Sequence, residues 1–105
     1  MSGISTHVLD IAAGKPASGV RVRLHREGAE VGSCVTNQDG RCTNLLPVNV
    51  ALYPGTYKLT FEVGARFADS FYPEIEISFR ITDATTHYHI PLLLSRFGYT
   101  TYRGS

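Results

Sequence analysis

Thr56-Tyr57-Lys58-Leu59-Thr60-Phe61-Glu62-Val63 alternates apolar and polar side chains without a break. That period of two marks a strand with one face in a core and the other turned to water. Two other runs repeat it. In Val20-Arg21-Val22-Arg23-Leu24-His25 the residues Val20, Val22 and Leu24 face inward, while Arg21, Arg23 and His25 face outward. Glu74 to Ile81 alternates in the same way, and Pro54-Gly55 opens the central run. Turn residues bound each segment: Ala13-Gly14-Lys15-Pro16, Glu27-Gly28-Ala29-Glu30, Asn37-Gln38-Asp39-Gly40 and Thr82-Asp83-Ala84-Thr85. With Thr6 to Ile11, Val31 to Thr36, His87 to Ser95 and Tyr99 to Tyr102, this makes seven or eight short strands, evenly spaced. Such a pattern predicts an all-β sandwich of two sheets. Ala65 to Phe71 breaks the alternation and predicts a short helix of one or two turns. Pro91, inside Ile90-Pro91-Leu92-Leu93-Leu94, has no N–H for a ladder and argues for an edge, a bulge or a break.

The chain has 105 residues, enough for one domain over 1–105 and one modest core, so a deep pocket calls for more than one subunit. Hydrophobic residues make up 43%, which excludes disorder on composition. Ten basic and nine acidic residues give a net charge of +1, with no basic run of the kind that binds nucleic acid. No apolar run is long enough for a membrane span, and the first residues do not read as a signal peptide. The expected location is the cytoplasm. Cys34 and Cys42 lie either side of a turn and could face each other across a hairpin. In a chain without a secretory segment they are expected to be free thiols.

Alternation also sorts the polar side chains. Tyr88, Ile90 and Leu92 look like core, so His87 and His89 face away from it. Val8 looks like core, so His7 and Leu9 face away as well. Thr100, Tyr102 and Gly104 share a face at the end of the chain. An outward face that carries Leu9, Leu93 and Tyr102 beside histidines is a candidate interface. Histidine exchanges protons near neutrality, and a pair of them is suited to activating a water by general-base catalysis. The ordinary reading of a lone strand histidine is surface decoration, and His25 belongs there. A zinc site built from His87, His89 and His7 lacks a fourth ligand. No GxSxG, GxGxxG, Walker or HExxH motif occurs. Arg41 and Arg103 by default are a turn charge and a tail residue, although their guanidinium forks suit a planar substrate with carbonyl oxygens.

Ser5-Thr6-His7-Val8-Leu9-Asp10, the turn Asn37 to Arg41, Pro54-Gly55-Thr56-Tyr57, the run His87 to Ser95 and the ending Tyr102-Arg103-Gly104-Ser105 together resemble the marks of the transthyretin-like family. Within it they resemble the 5-hydroxyisourate hydrolases rather than transthyretin, which lacks these histidines and this ending. The resemblance covers nearly the whole chain. It implies a transthyretin-like (prealbumin) sandwich of two four-stranded sheets with one short helix. It also implies a homotetramer that pairs edge to edge and then face to face, with active sites in the channel at the second interface. The implied reaction is hydrolytic opening of 5-hydroxyisourate to 2-oxo-4-hydroxy-4-carboxy-5-ureidoimidazoline, in urate degradation, with no cofactor. By position His7, Arg41, His89 and Ser105 are the implied catalytic residues, and Tyr102, Arg103 and Gly104 the implied substrate-binding ones. His87 falls at the periphery. The tail is expected to meet His7 and His89 across a subunit interface. One departure is Arg96-Phe97, where the family carries proline and an aromatic. Two other readings compete: a transthyretin-like tetramer that binds a small ligand without turnover, and a plain adhesion-type sandwich.

Overall fold

The structure, a computed structural model, describes residues 3–104. Four strands form one antiparallel sheet in the order β4-β3-β6-β7: β3 (Arg21–Arg26), β4 (Ala29–Val35), β6 (Gly55–Glu62) and β7 (Ile75–Ile81). The alternating runs are the heart of this sheet. Val22, Leu24, Tyr57, Leu59, Phe61, Ile75 and Ile81 are all buried. Their outward neighbours make exposed ion pairs, Arg23 with Glu62 and Glu30, and Lys58 with Glu76. Pairs of this kind contribute under about 1 kcal/mol each and read as a solvated face.

The second sheet is assembled around β1 (Gly3–Asp10). Its segments are β2 (Lys15–Pro16), β5 (Arg41–Cys42), β8 (His87–His89), β9 (Leu92–Leu94) and β10 (Tyr99–Thr101). β1 pairs with β2, β5, β8 and β9, and β10 closes the far side on β9. β8 and β9 run parallel to β1 in one register: Ser5 lies opposite His89, and Val8 opposite Leu92. They are one strand interrupted at Ile90-Pro91. Two hydroxyls repair the interruption: Thr6 Oγ1 donates to the Ile90 carbonyl at 2.6 Å, and Thr101 Oγ1 to the Pro91 carbonyl at 2.7 Å. Ile4, Val8, Tyr88, Ile90 and Leu92 face the shared core, as alternation predicts.

Two expectations are corrected. There is no helix among the described residues. After β6 the chain makes a single turn, in which the Phe67 amide donates to the Val63 carbonyl at 2.8 Å, and the turn is not continued. Gly64 and Pro73 hold this segment closed, through an amide-to-carbonyl hydrogen bond of 2.7 Å. The cysteines are not free: Cys34 on β4 and Cys42 on β5 form a disulfide. The chain passes from one sheet to the other between them, and the crossing brings their Cα atoms to 6.1 Å, within disulfide reach. Sequence spacing shows the turn but not that it spans the two layers. No helix of the described residues is long and apolar enough to cross a membrane.

The disulfide ties sheet to sheet across a sequence separation of 8 residues. Loop-closure entropy for so short a loop corresponds to roughly 2–3 kcal/mol. The double variant Cys34→Ser, Cys42→Ser is expected to lose about that much stability in denaturant melts. A reductant that destabilises the parent should then leave the variant's melt unmoved.

Candidate active site

The outward face of β1 carries Ser5 and His7, two residues apart. β8 flanks it on one side with His87 and His89, and β5 on the other with Arg41 directly across from His7. Arg41 is placed by the preceding turn. Asn37 Oδ1 accepts from the amides of Asp39 (2.9 Å) and Arg41 (3.0 Å), and the Gly40 amide returns to the Asn37 carbonyl at 2.9 Å. Gly40 has φ +73°, and a Cβ there would lie 2.4 Å from the Val8 carbonyl oxygen. Only glycine lets this turn dock on β1, where the Val8 amide donates to the Gly40 carbonyl. A groove of about 460 Å³ opens here, lined by Ser5, Arg41, Thr43, His87 and His89 among others. His7 shares the face but lies outside the lining.

Ser5 is the residue that sequence reasoning missed. Its Oγ lies 2.7 Å from His87 Nε2 and 2.8 Å from His89 Nδ1. The hydroxyl has one hydrogen and two lone pairs, so at most one imidazole accepts from Ser5 and at least one donates to it. The signal was available, because alternation puts Ser5 on the face of His7. The other edge of the His89 ring is closed by the tail. The Gly104 amide donates to the His89 carbonyl at 2.8 Å, and a Cβ on Gly104 would stand 2.5 Å from His89 Cδ2. His89 Nε2 has no hydrogen-bond partner among the described residues, and His89 lines the groove.

The tail therefore reaches His89 within its own chain through Gly104. Tyr102 is exposed. Arg103 is not brought to the groove of its own chain: its guanidinium lies 4.5 Å from the centre of the Tyr88 ring, on the opposite side of the strand. The Tyr88 hydroxyl accepts from the Thr82 and Asp83 amides. Hydrogen bonding, with the Thr82 side chain foremost, lowers its pKa to about 8. Ser105 lies outside the described residues. His25 sits on the other sheet, away from the site. Among the described residues no three His, Cys, Asp or Glu side chains converge to hold a metal.

Charge in the groove is one-sided. Burial, then the Arg41 guanidinium, then His7 and His87, hold the His89 imidazole below its ordinary value of 6.5. Burial and Arg41 do the same to His7, opposed but not overcome by the backbone and carboxylate of Asp39. Both rings are held in the neutral form that can take a proton near neutrality.

A profile of the HIUase/Transthyretin family matches residues 4–104. The chain is 47% identical to a 5-hydroxyisourate hydrolase of Mus musculus over 99% of its length and 96% of the relative's. The solved structure of Klebsiella pneumoniae 5-hydroxyisourate hydrolase superposes with a TM-score of 0.90 at 43% identity, over 100% of both chains. Sea bream transthyretin in complex with thyroxine gives a TM-score of 0.85 at 26% identity, over 96% of this chain and 93% of the other. The chain belongs to the HIUase/transthyretin family, and its fold is that family's sandwich. These two hydrolases share more of its sequence than the thyroxine-bound carrier does.

Two outcomes follow from the geometry. His7 and His89 take up protons less readily in the folded chain than in the unfolded one. Stability should therefore fall as the pH drops below about 6.5 and level off below the folded values, with part of that slope lost in His89→Gln. Denaturant melts from about pH 7.5 to about pH 5 measure it. In Gly104→Ala the added methyl should displace the His89 ring, seen as shifted imidazole resonances. The melt should move by less than about 1 kcal/mol, because the tail is exposed.

Proposed function

We propose that this chain hydrolyses 5-hydroxyisourate to 2-oxo-4-hydroxy-4-carboxy-5-ureidoimidazoline. The observation that carries the reading is the His89 ring, held at Nδ1 by Ser5 and packed at Cδ2 by Gly104, on the lining of a groove that Arg41 shares. Similarity to named 5-hydroxyisourate hydrolases along the full chain supports it. In this reading His89 Nε2 takes the proton of a water as it attacks the ring carbonyl, and His7 orients that water. Arg41 holds the substrate and offsets the charge that develops on its carbonyl oxygen. Tyr102 and Gly104 form one wall, and Ser105 places water or substrate from the end of the chain. Arg103 serves by stacking on Tyr88, which holds Gly104 against His89. No cofactor takes part.

The reading includes a homotetramer whose grooves face one another at the dimer–dimer interface. A groove open on one side, in a domain with a single modest core, is deepened by a second copy. It also includes a cytoplasmic setting, which cell fractionation decides. The Cys34–Cys42 disulfide stands against that setting, since cytosolic thiols are held reduced. A transthyretin-like carrier is the competing reading, favoured by the sandwich shared with the thyroxine-bound protein. It predicts saturable uptake of ligand without turnover.

The test is to generate 5-hydroxyisourate with urate oxidase and follow its ultraviolet decay. The protein should accelerate decay well above the spontaneous rate. His89→Ala, and separately deletion of Arg103 to Ser105, should each reduce kcat by at least about 100-fold while leaving the tetramer intact by light scattering. Decay at the spontaneous rate would overturn the assignment, and a fully active monomer would overturn the shared channel.

A further inference from the structure

Hydrolysis of a ring amide by one water sets a requirement that the groove alone does not meet. One hydrogen of the water ends on the released nitrogen. The other would end on a carboxyl group that is already ionised at neutral pH, so each turnover discharges one proton. His89 is poorly placed to keep that proton. Among the described residues, the charged and titratable groups facing it are Arg41 from β5, His7 from β1 and His87 from β8, and none of these is a carboxylate. In a serine-protease triad a carboxylate stands at the second nitrogen of the histidine and stabilises the imidazolium. Here the group at Nδ1 is the neutral Ser5 hydroxyl, whose other neighbour, 2.7 Å away, is His87 Nε2. His87 is exposed at the rim, where water solvates a charge, while His89 is partly buried.

We infer that Ser5 and His87 are positioning residues that form a proton relay behind His89, leading from the groove to solvent. The inference rests on the hydrolase reading with His89 Nε2 as the base. In the resting state His89 carries its hydrogen on Nδ1 and donates to Ser5 Oγ, and Ser5 donates to His87 Nε2. The proton leaving the reacting water is taken by His89 Nε2. The Nδ1 hydrogen passes to Ser5 Oγ as the Ser5 hydrogen passes to His87 Nε2. Three bonds to hydrogen break and three form, and the single positive charge moves from the groove to His87, which releases a proton to bulk water. Exchange with water restores the resting tautomers once the groove empties.

The same geometry makes His87 a switch. Protonation places a hydrogen on His87 Nε2, which must then donate to Ser5. Ser5 keeps both imidazoles bonded by turning its own hydrogen to His89 Nδ1, which favours the His89 tautomer with hydrogen on Nε2. In that state it cannot accept a proton from water.

Three variants and two readouts test this. Ser5→Ala removes the bridge, Ser5→Thr keeps a hydroxyl, and His87→Gln keeps a hydrogen-bonding group that cannot carry a proton. Ser5→Ala and His87→Gln should lower kcat by about 10- to 100-fold with KM changed by less than about threefold. Ser5→Thr should recover most of the rate, and imidazole buffer should rescue His87→Gln. The residual activity of His87→Gln should persist to lower pH than that of the parent, since one inhibitory protonation has been removed. Independently of activity, nitrogen-15 shifts of the imidazoles in the free protein should show the His89 tautomer changing at the same midpoint as His87 protonation. Ser5→Ala should uncouple the two. Unchanged kcat and pH profile in both Ser5→Ala and His87→Gln would overturn the relay, as would a His89 tautomer indifferent to His87. A parent protein that shows the tautomer coupling but no turnover would instead sink the hydrolase reading and leave the coupled geometry standing.

Discussion

Pairing of β1 with β8 and β9 in a single register is the constraint on which the rest depends. A slip of one residue in a strand exchanges its two faces. Here that would send Ile4, Thr6 and Val8 outward and Ser5 and His7 into the core. The register is at risk where Pro91 interrupts the ladder, since proline donates no hydrogen bond. The threonine hydroxyls of Thr6 and Thr101 fill that gap by taking up the Ile90 and Pro91 carbonyls from the two flanking strands. The same register brings Ser5 opposite His89, and β5 brings Arg41 opposite His7. Core packing and the site are two faces of one pairing pattern.

The two outward faces of the sandwich show what separates a working site from a solvated surface. On the four-stranded sheet, Arg23 meets Glu30 and Glu62, and Lys58 meets Glu76. Around β1, Arg41 meets imidazoles, and Asp39 is the carboxylate among the described residues that acts on His7. Imidazolium is disfavoured there by burial and by like charge together. A base held neutral next to a fixed cation is suited to a reaction in which negative charge grows on the substrate while protons leave.

Loops do as much as strands. The Asn37 side chain holds two amides of the turn that presents Arg41, and Gly40 lets that turn lie on β1 at a distance no Cβ would tolerate. Immediately after Arg41, Cys42 ties β5 to β4. The guanidinium is thus flanked by a packed turn on one side and a covalent link on the other. At the far end Arg103, over Tyr88, and Gly104, on His89, straddle one strand and hold down a segment that would otherwise fray.

Alternation alone determined the all-β class, the inward residues of β3, β6 and β7, and the outward placement of His7, His87 and His89, because strand periodicity is a local property of the chain. The resemblance read from His7, the Asn37 to Arg41 turn and the closing segment marked the right family. Three features escaped that reading, although alternation already puts Ser5 on the face of His7. The segment after β6 was read as a helix because its spacing is not strand-like, but one turn closed by Gly64 and Pro73 satisfies it. The cysteines are expected free in a chain without a secretory segment, and spacing does not reveal that the turn between them crosses from sheet to sheet. Ser5 was passed over because a serine on a strand is unremarkable until two histidines 82 and 84 residues away are folded onto its hydroxyl. Tertiary structure alone decided these points, since each depends on a distance between residues that the sequence does not place side by side.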